Sequence, residues 1–139
     1  MKDLKTQVNE VIAKRGLGSC MNNTKWRELR EGMVNEMPFP PPFILKTVME
    51  DACPDEPFFQ SDVSYWGDWG EDFLCYPATG ANRWFVIEWV KVRPRYLERR
   101  GRLLAPRLID ASAAFEAILR KYHIPFEQQD DVYCIYGYR

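Results

Sequence analysis

From Arg83 to Arg93 the chain reads Arg-Trp-Phe-Val-Ile-Glu-Trp-Val-Lys-Val-Arg. Extended, this segment puts Trp84, Val86, Glu88, Val90 and Val92 on one face and Phe85, Ile87, Trp89 and Lys91 on the other. A strand that is apolar on both sides over most of its length belongs inside a sheet and not at its edge. Other segments must therefore flank it as strands, and helices must cover at least one face. Candidate neighbours lie on either side in sequence. Phe43 to Met49 is rich in β-forming residues. Ser61 to Trp66 and Glu71 to Tyr76 flank Gly67-Asp68-Trp69-Gly70, which reads as a hairpin turn, and Ala78 to Asn82 reads as a second turn. Near the end, Pro125 to Gln128 and Val132 to Tyr138 flank Gln129-Asp130-Asp131 as a last hairpin. The basic stretch Pro94 to Pro106 has no clean period and reads as an exposed loop.

Three segments carry helical spacing. Leu4, Val8, Val11 and Ile12 recur within a helix over about Lys2 to Arg15, stopped by Gly16 and Gly18. Trp26, Leu29, Met33 and Met37 form one stripe of a second helix, capped by Asn23 or Thr24 and ended by Pro38. Pro38-Phe39-Pro40-Pro41-Pro42 then reads as a stiff elbow. A third helix starts near Asp110 and lines up Ala111, Phe115, Ile118, Leu119 and Tyr122, with Arg120 and Lys121 at its negative end and Ile124-Pro125 as its stop. Consecutive strands between helices predict an α+β class: an antiparallel sheet of five or six strands packed by two helices, with an extra N-terminal helix. The expected division is a helix and linker over residues 1–20 and a single α+β domain over 21–139. Trp26, Met33, Phe85, Ile87, Trp89, Phe115 and Ile118 are the expected core.

Composition bounds the function classes. With 139 residues, 46% of them hydrophobic, the chain can bury a core without staples. No apolar run approaches the roughly 20 residues of a membrane span, and the opening Met1 to Lys5 is no signal peptide, so a cytoplasmic protein with no membrane partner is expected. Cys20, Cys53, Cys75 and Cys134 form no C-x-x-C pair and read as reduced, mostly buried thiols. A net charge of −1 makes nucleic acid an unfavourable partner.

That near-neutral total conceals two local blocks. Glu50 to Asp72 holds eight acids and no base: Glu50, Asp51, Asp55, Glu56, Asp62, Asp68, Glu71 and Asp72. Phe58, Phe59, Tyr65, Trp66, Trp69 and Phe73 are threaded among them. Lys91 to Arg107 holds seven bases against Glu98. Such blocks are often only solvated faces. Aromatic side chains beside a turn add a recognition motive, because Trp and Tyr dominate interface anchors. Asp62, Trp66, Asp68, Trp69, Glu71 and Asp72 are accordingly the expected partner-binding set, with Arg95, Arg99, Arg100 and Arg102 as secondary candidates.

Catalytic signals are weak. No serine elbow or Gly-rich phosphate loop is present. The lone His123 follows a helix and reads as structural. Cys53, Cys75, His123 and Cys134 match no zinc spacing, and Asp68, Glu71 and Asp72 lack the alternation of a calcium loop. No metal, cofactor or catalytic residue is expected. Glu88 interrupts an apolar face and needs a partner, with Arg30, Arg83 and Arg93 as candidates; the competing reading is an acid or base in a pocket.

The segment Asn23-Thr24-Lys25-Trp26-Arg27-Glu28-Leu29-Arg30 resembles the opening signature of a small, largely uncharacterised bacterial domain family. The resemblance continues through Trp66-Gly67-Asp68-Trp69, Ile87-Glu88-Trp89-Val90, Arg93-Pro94-Arg95-Tyr96, Ile124-Pro125-Phe126-Glu127 and Ile135-Tyr136-Gly137-Tyr138. It covers about Asn22 to Arg139 and leaves the first helix outside. It implies no enzymatic activity, and its small form is similar to that of immunity proteins, which neutralise toxins in bacterial competition. Three functions follow as expectations. The first is an immunity-type inhibitor that occludes a basic toxin domain. The second is an interaction module, including a homodimer of acidic block on basic block. The third is a small-molecule binder or enzyme with a pocket around Glu88.

Overall fold

A computed structural model of the chain describes residues 1–50 and 60–139. Its principal sheet has four antiparallel strands in the order β1-β4-β8-β7. These are β1 (Phe43–Thr47), β4 (Ile87–Val92), β7 (Glu127–Gln129) and β8 (Val132–Tyr136). Two ribbons stand apart from it, β2 (Cys75–Tyr76) with β3 (Ala81–Asn82) and β5 (Arg95–Glu98) with β6 (Arg107–Asp110). Helices α1 (Leu4–Arg15), α2 (Asn23–Glu31) and α3 (Ser112–Lys121) complete the α+β fold. Among the described residues the main sheet thus has four strands, where five or six were expected. Segments expected to join it pair locally as ribbons or form no strand.

Strand β4 is interior, flanked by β1 and β8 as its composition requires. Its first part departs from expectation: Trp84–Val86 is a turn of 3-10 helix. The aromatic and β-branched residues there look like a strand, but tertiary bonds override that preference. The Trp84 indole donates to the Phe73 carbonyl at 2.9 Å, the Tyr138 hydroxyl to Phe85 O at 2.7 Å and the Val48 N–H to Val86 O at 2.9 Å. The alternation also fails at Glu88. Lys46 pairs with Trp89 and Thr47 with Ile87, so Glu88 is an extra residue on β4, a β-bulge. The Glu88 carbonyl accepts from both Gly137 and Tyr138 N–H, at 2.7 and 3.2 Å. With the phase reset, Ile87 joins Val90 and Val92 in one core cluster.

That cluster unites the stripe of α2 and its extension (Trp26, Leu29, Met33, Met37) with Phe115, Ile118 and Leu119 of α3 and Tyr133 and Ile135 of β8. Of the expected core residues only Phe85 is half-buried, packed in a separate cluster. Burying each large apolar side chain contributes about 1.5–3 kcal/mol. The cap of α2 is Asn22, whose side chain accepts from Lys25 N–H, one residue before the expected pair. After Glu31 the helix widens into a π turn, Gly32–Glu36, closed by Met37 N–H on Gly32 O. Helix α3 starts without a side-chain cap of its own, while the Asp110 carboxylate accepts from Ser112 N–H. It ends in a Schellman motif: His123 N–H bonds Arg120 O and Ile124 N–H bonds Leu119 O, with His123 left-handed at φ 55°.

The hairpin expected around Gly67–Gly70 does not form. Residues 61–66 are irregular, Glu71–Phe73 is a 3-10 turn, and only Cys75–Tyr76 pairs, with β3. The loop bonds to the proline elbow instead, through Gly67 N–H on Pro40 O and the Trp69 indole on Pro41 O. A Cβ on Gly67 would stand 2.3 Å from Pro41 O, so only glycine permits this approach. The basic segment expected as an exposed loop has that character over 99–106, but Arg95–Glu98 is strand β5, paired with β6 as a hairpin.

Helix α1 buries Val8 against Val48 and Val86. The linker behind it makes three backbone hydrogen bonds with the far end of the chain, Gly18 N–H to Arg139 O, Arg139 N–H to Gly18 O and Cys20 N–H to Gly137 O. Residues 1–20 therefore share both a cluster and a ladder with the rest. The fragment 21–139 is expected to unfold cooperatively with a midpoint about 10 °C below that of the full chain, since the Val8 cluster and the Gly18 pairing are both lost. Calorimetry on the two proteins checks this, and equal midpoints would show that α1 adds nothing to the domain.

Candidate functional site

The acidic aromatic segment splits between interior and surface. Trp69 is only 2% exposed. Its ring centroid lies 4.4 Å from that of Phe43 and 4.7 Å from that of Phe73, and Arg30 Nε donates to its carbonyl at 3.1 Å. Trp69 thus pins the loop to the core. Trp66, three residues earlier, is 54% exposed and meets Tyr96 edge-on at 6.0 Å. Tyr65 beside it is 53% exposed. Asp68 accepts from Gly70 N–H at 2.8 Å, which shapes the turn. Trp66, Asp68 and Asp72 line a shallow cleft of about 410 Å³ together with Tyr65 and the β1 residues Phe43, Ile44 and Leu45. Glu71 is exposed next to Asp72.

Asp62 turns inward. Arg95 grips it with two hydrogen bonds of 2.6 and 2.8 Å, and Arg93 Nε lies 3.5 Å away. Arg93 also binds Asp131 at 2.6 Å. The Arg95 hydrogen bonds hold the Asp62 carboxyl below its ordinary range, although burial opposes them. This cluster fastens the acidic loop to the β5–β6 hairpin, where Leu97 N–H also bonds Val63 O. Of the sequence-derived set, Trp66, Asp68, Glu71 and Asp72 share the outer surface, while Asp62 and Trp69 hold that surface in place. Arg95 is half-buried and committed to Asp62, and Arg99, Arg100 and Arg102 are exposed at the hairpin tip. Sequence reasoning named Tyr65 among the aromatics of the acidic block but left it out of the binding set, and it missed the β1 side of the cleft. The signal available for Tyr65 was its place next to Trp66; the β1 contribution has no local signature. Asp51, Asp55, Glu56, Cys53, Phe58 and Phe59 lie outside the described residues.

Glu88 finds neither Arg30, Arg83 nor Arg93. Its carboxylate binds Lys46 at 3.1 Å and Arg15 of α1. Arg30 is held by Trp69 and Arg93 by Asp131, so both are committed elsewhere. Lys46 is 5% exposed, and an ammonium at that depth requires an anion. Burial pushes the Glu88 pKa up, but hydrogen bonds from Arg15 and Lys46 outweigh it and leave the group below its ordinary 4.5. An open cleft of about 680 Å³ lies against this trio, lined also by Val11, Lys14 and Glu50. Cys20 is exposed and Cys75 half-buried, which corrects the expectation of mostly buried thiols; Cys134 is buried, and burial raises its pKa. Among the described residues these three are free, and no three His, Cys, Asp or Glu side chains converge as a metal site.

Residues 8–139 match a family of unknown function, DUF6678. The chain belongs to that family. The match reaches into α1, which the resemblance read from sequence left outside. No curated protein and no solved structure matches the chain. No helix among the described residues of this DUF6678 domain is long and apolar enough to cross a membrane.

Two stability measurements separate scaffold from surface. In urea unfolding, Trp69→Ala is expected to lose about 3–5 kcal/mol as a core cavity, and Trp66→Ala less than about 1 kcal/mol. Similar losses at both positions would remove the distinction drawn between them. Glu88→Leu strands Lys46 and is expected to cost about 3 kcal/mol, most of it regained when Lys46→Met is added. Because the folded pKa of Glu88 is depressed, its contribution is complete above the unfolded value of 4.5 and fades as pH falls through the lower folded value. The stability difference between wild type and Lys46→Met/Glu88→Leu should therefore shift against the wild type only in that acid window.

Proposed function

We propose that this DUF6678 domain is a protein-binding domain of the immunity type, which neutralises a basic toxin domain in the cytoplasm by covering its working surface. The observation that carries the reading is the cleft where exposed Trp66 and Tyr65 stand beside Asp68 and Asp72 on a loop locked from beneath. Large aromatic side chains supply anchoring area, and carboxylates that no salt bridge engages among the described residues draw a cationic partner and orient it. The scaffold is already set: Trp69 on Pro41 O and Asp62 on Arg95 hold the loop, so little ordering is needed on binding. The immunity assignment itself rests on the similarity of form noted in the sequence. In this mechanism the chain performs no chemistry. Glu88, held as a carboxylate by two cations, is suited to a structural ion pair and poorly suited to donate a proton.

The test is titration against a basic toxin domain encoded beside this protein. Trp66→Ala is expected to weaken binding by at least about 2 kcal/mol while leaving the thermal midpoint unchanged. Asp68→Lys with Asp72→Lys should chiefly slow association and flatten its dependence on salt. Unaltered rates for these folded variants would rule out this face as the interface, and a toxin that stays active in the complex would rule out occlusion.

A further inference from the structure

Every residue from Arg99 to Leu108 is exposed, so the β5–β6 hairpin carries its tip clear of the domain. Gly101 makes the bend with φ 105°, a conformation side chains rarely allow. At the apex Leu103 is 98% exposed and Leu104 is 58% exposed. Around them stand Arg99, Arg100 and Arg102, with no acid anywhere between Glu98 and Asp110. Arg100 Nε is turned to the Ala105 carbonyl, and Arg107 to Glu98. Among the described residues no salt bridge engages Arg99, Arg100 or Arg102. The base of the hairpin, by contrast, is bolted down through Arg95 to Asp62 and Arg93 to Asp131.

We propose that this tip docks the domain onto an anionic lipid surface, with Leu103 and Leu104 entering the headgroup boundary and Arg99, Arg100 and Arg102 meeting lipid phosphates. Two adjacent leucines held out in water on a hairpin anchored at its base belong to neither core cluster of the domain. A protein groove would need a matching concavity and far more contact than a few residues at a convex apex present, since stable partners bury about 800 Å² each. A bilayer has no such requirement: it yields around a convex apolar tip and offers a dense field of negative charge. Such contact needs no membrane-spanning helix. It also uses none of Trp66, Asp68 or Asp72, so it stands independently of the function proposed above.

The experiment is co-sedimentation of the full chain with vesicles of phosphatidylcholine containing phosphatidylserine and with vesicles of phosphatidylcholine alone. The expected result is at least about tenfold stronger partitioning to the anionic vesicles, released by salt, since each cation near such a surface adds about fivefold. Leu103→Ser with Leu104→Ser should lower that partitioning about tenfold at an unchanged thermal midpoint. Replacing Arg99, Arg100 and Arg102 by Gln should erase the preference for anionic lipid. A Leu103→Trp variant should show blue-shifted emission that brominated lipid quenches. The proposal fails if the chain stays in the supernatant with both vesicles, as it would were the tip a ligand for an acidic protein. It fails also if both vesicle types bind alike, or if the double serine variant binds as the wild type does.

Discussion

The extra residue that Glu88 inserts into β4 decides how the rest of the chain assembles. Its carbonyl takes the amides of Gly137 and Tyr138, just beyond β8, and its carboxylate takes Lys46 of β1 and Arg15 of α1. One residue therefore ties both neighbouring strands and the N-terminal helix together. Without the bulge, Ile87 would face away from Val90 and Val92, because a slip of one residue exchanges the two faces of a strand. With it, all three enter the core cluster. Gly137 completes the joint. A Cβ there would stand 2.1 Å from Ile87 O and 3.0 Å from the Trp26 ring, so the backbone of β8 can close on β4 only where a side chain is missing.

The interior position of β4 was legible because apolar residues on both faces have a single physical explanation. The stripe of α2, the face of α3 and the final hairpin were legible for the same reason, since period and turn chemistry agree locally. What escaped reading depended on distant partners. Trp66 and Trp69 look equivalent in sequence, yet a proline carbonyl nearly thirty positions upstream draws in Trp69 and leaves Trp66 outside. Glu88 announced that it needed cations, but which ones depended on strand order, and no spacing encodes that Lys46 lies alongside. The basic stretch from Pro94 to Pro106 showed no period, and the carboxylates that Arg95 pairs with, Asp62, Asp110 and Asp131, all lie outside it.

The two charge blocks are accordingly not two opposed surfaces. Their inner members, Asp62 with Arg93 and Arg95, neutralise one another and act as a rivet between loop and hairpin. The outer members are left with different neighbours, aromatic for the acids and aliphatic for the arginines. That difference in company distinguishes the cleft beside β1 from the hairpin apex more clearly than the sign of the charge does.

The strand order has a bearing on how this domain is made. Strand β8 is the last of the sheet in sequence, yet it lies between β4 and β7 and bonds to both. Trp89 must find Tyr136, and Val90 must find Ile135, across a span that includes the whole β5–β6 hairpin and α3. A nascent chain that has produced β1, β4 and every helix still has one side of its central strand bare. Its apolar face then waits for the final segment of the fold. Such long-range closure slows folding and leaves an open strand edge in the meantime. The β1–β4 pair can form early, but the domain completes its sheet only late, and a translating ribosome would hold an exposed, adhesive intermediate until β8 is free to enter.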